Sequence, residues 1–285
     1  MELKIKGHSG CDIDVVREAR DLFVYKSTHD VKYIPRLINQ AKKQEQAASY
    51  EYQHIRVPQI FDVHSSDSMA FIKMEYVYSK NFIEYFEHAG FEQIKYLIKA
   101  LEYFIEKEIA ASQMTVIPQR VFTDKFFDVK KKTLGNSALN GDTEVTHILN
   151  ESESIFSTID SMCLPVGRCH GDLTFSNILF NGNNYYLIDF LDSFIESPML
   201  DIVKLRQDTA YRWSQRMYIK SFDSVRLRIV SEKIDHDIDE YFKTHYGWYR
   251  DYYKPLQVMN FLRILQYAHE PRVIEYLKRV IISLL

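Results

Sequence analysis

The hydrophobic pattern of this 285-residue chain changes character near residue 80, from mainly strand-like to mainly helical, which points to a fold with sheet at one end and helices at the other. Before that point apolar residues come in short extended runs, at Leu3–Lys6, Ile13–Arg17, Leu22–Lys26, Ile60–His64 and Met69–Tyr76. Turn-forming stretches separate them, Gly7-His8-Ser9-Gly10 between the first two and Ser65-Ser66-Asp67-Ser68 between the last two. A single helix interrupts the strands from Pro35 to Ser49, with proline in its first turn. On this helix Leu37, Ala41, Glu45 and Ala48 recur at three- and four-residue spacing, which sets a carboxylate among small apolar residues.

From Phe82 onward the period becomes helical. Ile94, Leu97, Ile98, Leu101, Phe104 and Ile105 define one core-facing stripe, and a second helix is expected from Glu144 to Ser161. Between Val166 and Ile188 the chain returns to extended pieces, with Asn177–Phe180 and Tyr185–Ile188 flanking the turn Asn181-Gly182-Asn183-Asn184. After Pro198 it is helical again, and the terminal Val280–Leu285 run is expected to tuck a last helix into the core. The expected fold class is α+β, with a small antiparallel sheet lobe carrying one helix over residues 1–77 and a larger, mainly helical lobe over residues 78–285.

Composition excludes several functions. A net charge of −3 with no basic stripe argues against nucleic acid, and leaves the twenty Tyr and eighteen Phe as packing material. Three cysteines without metal-type spacing favour a reducing compartment over a disulfide framework or zinc site. The amino terminus lacks an export-type apolar run, and no segment approaches a bilayer span, so a cytoplasmic protein without a membrane span is expected. Oligomeric state is open.

The chemistry concentrates in His170-Gly171-Asp172-Leu173-Thr174-Phe175-Ser176-Asn177, followed by Asp189 in Leu187-Ile188-Asp189-Phe190. The intervening hairpin brings Asp172, Asn177 and Asp189 to one end of two strands. Such oxygen ligands suit magnesium, which substrate phosphates and waters usually complete, and one carboxylate then remains free as a base. The bland reading is that His170 and Asp172 merely satisfy backbone groups in a tight turn.

This segment resembles the aminoglycoside phosphotransferase and choline kinase family, relatives of the protein kinases, whose catalytic loop reads H-G-D-x-x-x-x-N; the resemblance covers nearly the whole chain. It implies a bilobal protein-kinase-like fold and an ATP- and Mg2+-dependent kinase acting on a small-molecule hydroxyl. It assigns Asp172 as catalytic base, Asn177 and Asp189 as metal ligands, and His170 as a brace for the loop. Lys26, at the end of an apolar strand, takes the place of the lysine that binds the α- and β-phosphates. Glu45 is its expected partner, with Glu51 as a rival, because a carboxylate on an apolar helix face calls for a cation. Ser9 and Gly10 fall in the loop that covers the triphosphate, although Gly7–Cys11 departs from G-x-G-x-x-G and a plain hairpin turn is the alternative. Backbone groups of Glu75 and Val77 fall where the hinge meets adenine. Asp201 is placed to stabilise the catalytic loop, or stands as an ordinary first-turn helix carboxylate. Asp192, Glu196 and Asp208 are candidates for gripping the acceptor, or solvated surface charges. His-Gly-Asp in place of His-Arg-Asp, and no Ala-Pro-Glu, argue against a protein kinase. The alternative from another class is a catalytically silent nucleotide-binding regulatory module. Sugars, amino alcohols and aminoglycosides are open as acceptors, with the loop sequence and the Asp-Phe-Leu-Asp-Ser run most similar to members associated with capsule and surface-polysaccharide synthesis.

Overall fold

A computed structural model describes the backbone of residues 3–6 and all of residues 11–285. The chain begins as an antiparallel meander of β1 (Leu3–Lys6), β2 (Asp12–Glu18) and β3 (Asp21–Thr28), and then forms α1 (Ile34–Ala48). After β4 (Ile55–Arg56), strands β5 (Ile60–Ser65) and β6 (Ala70–Glu75) complete a five-stranded antiparallel sheet of order β1-β2-β3-β6-β5. β3 is central because its register pairs Lys26 with Ile13 on one side and Ile72 on the other. α1 covers this sheet with Ile34, Leu37, Gln40, Ala41, Gln44 and Ala47 buried. Ile34, Leu37 and Ala41 join Ala70, Ile72 and Met74 in a small core separate from the main one.

The helix face differs from the expected one. Each four-residue step turns a helix about 40° past a full circle, so the stripe Leu37–Ala41–Glu45 drifts away from the sheet, whereas steps of three and four hold Ile34, Leu37, Ala41 and Gln44 against it. Glu45 is exposed.

The second lobe contains α2 (Phe82–His88), capped reciprocally by Asn81 and Glu84, then α3 (Phe91–Ala110), β7 (Gln113–Pro118), α4 (Gln119–Leu134) and α5 (Thr143–Thr158). The expected stripe of α3 is buried throughout, from Ile94 to Ile105, each large apolar side chain contributing about 1.5–3 kcal/mol. α5 ends short of the expected Ser161, which instead opens β8 (Ser161–Val166), paired antiparallel with β7. This two-stranded sheet and α4 lie in segments where the sequence pattern is silent. β9 (Ile178–Asn181) and β10 (Asn184–Leu187) form the expected hairpin, and β4 joins β10 in parallel. The chain therefore lends a strand to the second lobe before the boundary expected at residue 77. Beyond it lie α6 (Pro198–Thr209), α7 (Trp213–Met217), α8 (Ser224–His245), α9 (Gly247–Leu265) and α10 (Pro271–Leu284), the last burying Val280, Ile281 and Leu284 as expected. The architecture is the two-lobed, protein-kinase-like α+β fold.

Candidate active site

The loop from β8 to β9 carries the His-Gly-Asp segment and is clamped from two directions. Ser197 caps α6, accepting the Met199 N–H at 3.2 Å, and Pro198 starts the helix, so Asp201 falls in its first turn, fully buried. The His170 and Gly171 N–H groups donate to its two carboxylate oxygens at 2.6 and 2.7 Å. Burial raises the Asp201 carboxyl to about 7, against the pull of those two N–H groups. On the other side the Leu191 N–H donates to the His170 carbonyl at 2.9 Å. Gly171 lies at φ +86°, and a Cβ there would sit 1.9 Å from the Leu191 carbonyl oxygen, so both backbone conformation and space require glycine.

His170 is fully buried. Its Nε2 donates to the Ile188 carbonyl at 2.9 Å while its Nδ1 accepts the Asp172 N–H at 3.2 Å, a pair of bonds that only the neutral Nε2–H tautomer makes. Burial lowers its pKa to about 4. The ring thus ties the segment bearing Asp189 to the loop bearing Asp172.

Asn177 donates through Nδ2 to the Asp172 carboxylate at 2.9 Å and to its carbonyl at 2.8 Å, and the Asn177 carbonyl accepts the Ile188 N–H at 3.1 Å. Next to Ile188, Asp189 adopts a left-handed φ of 62° and meets Lys26 Nζ at 2.7 Å. Lys26 is 3% exposed and also donates to Gln40 Oε1 at 2.9 Å, so it faces into the cleft. Asp172, Asn177, Asp189 and Lys26 are thereby linked through direct contacts and one backbone step. On the far side of Asp172, Lys204 Nζ lies 3.1 Å from its carboxylate. Burial alone would raise the Asp172 carboxyl, but the opposing pull, chiefly the Lys204 ammonium with a smaller part from the Asn177 hydrogen bond, holds the group below its usual value.

Among the remaining candidates, some are placed as expected and some are not. The helix partner of Lys26 is Gln40, not Glu45, for the reason of helix phase given above. Ser9 and Gly10 lie outside the described residues. Glu75 ends β6 with its N–H donated to the Gln59 carbonyl at 2.8 Å, and Val77 follows it, buried, on the chain that crosses between lobes. Asp208 is not an acceptor-gripping group. It is 1% exposed and accepts the N–H of Phe175 at 2.7 Å and the N–H and Oγ of Ser214, each at 2.8 Å, with burial raising it to about 6. Glu196 is bound by Lys43 of α1 at 2.5 Å and by the Ser193 N–H at 2.7 Å. Glu196 and Asp192 line a cavity against α1, whereas Asp172 opens into another.

Sequence reasoning missed Lys204, Gln40 and Lys43. A signal for Lys204 exists. It lies three residues after Asp201 on α6, hence on the same helix face, and a residue one turn beyond a loop-bracing Asp points at the same loop.

The donor set fits a magnesium nucleotide. Because Asn177 directs Nδ2 at Asp172, its Oδ1 is the atom available to a cation, and with Asp189 it offers two hard oxygen ligands of the kind magnesium takes when phosphates complete its shell. Among the described residues no cluster of three or more His, Cys, Asp or Glu side chains could hold a metal alone.

Residues 124–231, which include the whole catalytic loop and Asp189, match the model of the phosphotransferase enzyme family. No curated protein matches the chain in sequence. Among solved structures, a thermostable mutant of aminoglycoside phosphotransferase APH(4)-Ia, in ternary complex with AMP-PNP and hygromycin B, is similar with a TM-score of 0.65 at 9% identity, over 100% of this chain and 92% of that one. A choline/ethanolamine kinase family protein from Mesorhizobium loti is similar with a TM-score of 0.62 at 13% identity, over 100% of this chain and 87% of that one. Amicoumacin kinase hAmiN, in complex with AMP-PNP, Ca2+ and Ami, gives 0.61 at 12% identity, over 99% and 88%. The segment bearing the candidate site thus matches the phosphotransferase enzyme family, and the resemblance to aminoglycoside phosphotransferases and choline kinases read from the sequence holds in the fold of the whole chain.

Proposed function

We propose that this small-molecule kinase transfers the γ-phosphoryl group of ATP to a hydroxyl of a small acceptor, with Asp172 as the base. The observation that carries the reading is the linkage of Asp172, Asn177 and Asp189 at the mouth of one hairpin, with Lys26 of the other lobe reaching Asp189. When bound, magnesium ions neutralise the phosphate oxygens and orient the γ-phosphoryl group. Asn177 and Asp189 would hold those ions, and Lys26 would bind the phosphates. Backbone groups of Glu75 and Val77 would meet the adenine, and Ser9 and Gly10 would cover the triphosphate.

Asp172 takes the proton of the acceptor hydroxyl at a carboxylate oxygen. Each of its oxygens keeps a free lone-pair site beside the bonds from Lys204 and Asn177, so it can still accept that proton. Its depressed pKa keeps it ionised, and therefore competent as a base, across the physiological range. Positioning and charge neutralisation supply most of the acceleration in such reactions.

Support for these roles comes from geometry and from neighbours that bind AMP-PNP or ADP. A setting in surface-polysaccharide synthesis rests on sequence alone, the catalytic loop and the Asp-Phe-Leu-Asp-Ser run. Among the described residues no helix is long and apolar enough to cross a membrane. The test is ADP release from ATP and magnesium across a broad acceptor panel, with Asp172→Asn alongside. Turnover should fall by about 10²–10⁴-fold while ATP binding stays within about twofold. Equal turnover in the variant would remove Asp172 from its role.

A further inference from the structure

Asp172 opens into a cavity of about 560 Å³ on the second lobe, walled by the catalytic loop, α6 and α7 and roofed in part by Phe82. Its volume suits a ligand of small-metabolite size. The charged side chains among its lining residues are Asp172 and Lys204, which face one another at 3.1 Å and cancel. The neighbouring acids are already engaged: Asp208 lies behind the wall, capped by Phe175 and Ser214, and Asp189 is paired with Lys26. A second cation, Arg263 of α9, stands with Lys204 at the adjoining recess beside Gly171, its guanidinium 5.5 Å from the Phe194 ring centroid.

The rest of the lining is amide, hydroxyl and aromatic. Gln207 accepts at Oε1 from Asn260 at 2.8 Å and from Lys204 at 3.4 Å, which leaves its Nε2 as a donor. Thr174 and Ser176 share a hydroxyl bond of 2.9 Å, and Trp213, Tyr218 and Phe82 present apolar surface. Neutral donors and acceptors placed beside aromatic rings match a ring that has hydroxyls on its edge and C–H groups on its face. An ammonium group would find its one carboxylate already claimed by lysine and would be left without a counter-charge, which is costly in a partly buried site.

We infer that the acceptor is an uncharged sugar or polyol, and that Lys204 excludes amines by occupying the carboxylate an amine would need. The inference rests on the kinase reading for the word acceptor, yet binding in the cavity can be measured without turnover.

Saturation-transfer NMR on the full chain, without nucleotide, compares three groups of probes. These are uncharged sugars and polyols, the amines choline and kanamycin, and the acid glucuronate. The expected result is saturation transfer to one or more uncharged probes, lost in Trp213→Ala, and none to the amines. Lys204→Gln should then admit choline at least about tenfold more strongly, since it frees the Asp172 carboxylate. Amine or glucuronate signals that depend on Trp213 in the parent, or no signal from any group, would overturn the assignment. So would retained sugar binding with no gain for choline in Lys204→Gln. ADP release is measured separately with the same probes. If sugars bind through Trp213 but no probe supports turnover, the kinase reading falls and the cavity assignment stands.

Discussion

Lys26, in the central strand of the first lobe, and Asp189, at the end of the hairpin in the second, are joined across the cleft at 2.7 Å. Register places both ends. β3 is hydrogen-bonded on both sides, which fixes the backbone from which Lys26 extends. At the other end Asp189 is turned toward the cleft by a left-handed backbone that an L-residue adopts at some cost. Strain of this kind persists where surrounding bonds over-determine it, here the Ile188 N–H to Asn177 and the Ile188 carbonyl to His170.

If Lys26 binds phosphate, Lys26→Met should lower kcat/KM for ATP by about 10²–10³-fold, the usual cost of losing one preorganised charge donor. Its removal also leaves Asp189 without its cation. ATP binding followed by calorimetry with and without magnesium should therefore weaken in Lys26→Met, whereas binding unchanged from the parent would place the lysine outside the nucleotide site.

Gly171→Ala tests the close approach of the catalytic loop to the following segment. The added Cβ would lie 1.9 Å from the Leu191 oxygen, in a backbone conformation already unfavourable for alanine, so the loop or the Asp189 segment must shift. A loss of at least about 2 kcal/mol in urea denaturation is expected, together with reduced turnover. Parent-like stability would show that the two segments are free to separate.

The two lobes, the hairpin and the cluster Asp172, Asn177 and Asp189 were legible because each is written in local pattern. Strand period, helix period and a turn between two short apolar runs all act over a few residues. Glu45 shows where this stops. Its candidacy depended on helix phase: the stripe from Leu37 to Ala48, stepping by four, four and three, satisfies the same spacing rule as the stripe from Ile34 to Gln44, stepping by three, four and three, that the sheet selects. Gln40 was passed over because a neutral amide on a buried face carries no charge to demand a partner. Asp208 looked like a surface acid, since sequence does not show that Phe175 and Ser214, from distant segments, converge on it. β4 is only two residues long, and its parallel partner is more than a hundred residues away, so no local signal marks it.

His170 sets a pH dependence of stability. Its folded pKa is lowered to about 4 from the ordinary value of 6.5, so between these limits the unfolded chain binds the extra proton. Stability contributed by the neutral ring is full above about pH 6.5 and declines as pH falls toward 4, by about 2 kcal/mol at pH 5. Urea midpoints at pH 7 and pH 5 should differ less in His170→Gln than in the parent. Parallel declines in the two proteins would mean the ring titrates normally.

Lys204 should set the acidic limb of the rate profile. Asp172 works as a base only when ionised, so its pKa marks where turnover fails on acidification. Burial pushes that value up and Lys204 chiefly pulls it down, leaving it below the usual carboxylate. In the parent, therefore, Asp172 itself should not limit turnover until the pH falls below the ordinary aspartate range. Replacing Lys204 by glutamine removes the main opposing charge, lets burial dominate, and should move the acidic limb of kcat upward by about one unit or more. Asn177→Ala removes a smaller hydrogen-bond contribution but also a proposed metal ligand, so it should lower kcat with much less displacement of the limb. The informative comparison is kcat against pH for both variants. A limb that stays in place in Lys204→Gln while kcat falls would assign the lysine to phosphate or acceptor contact, rather than to holding the charge of Asp172.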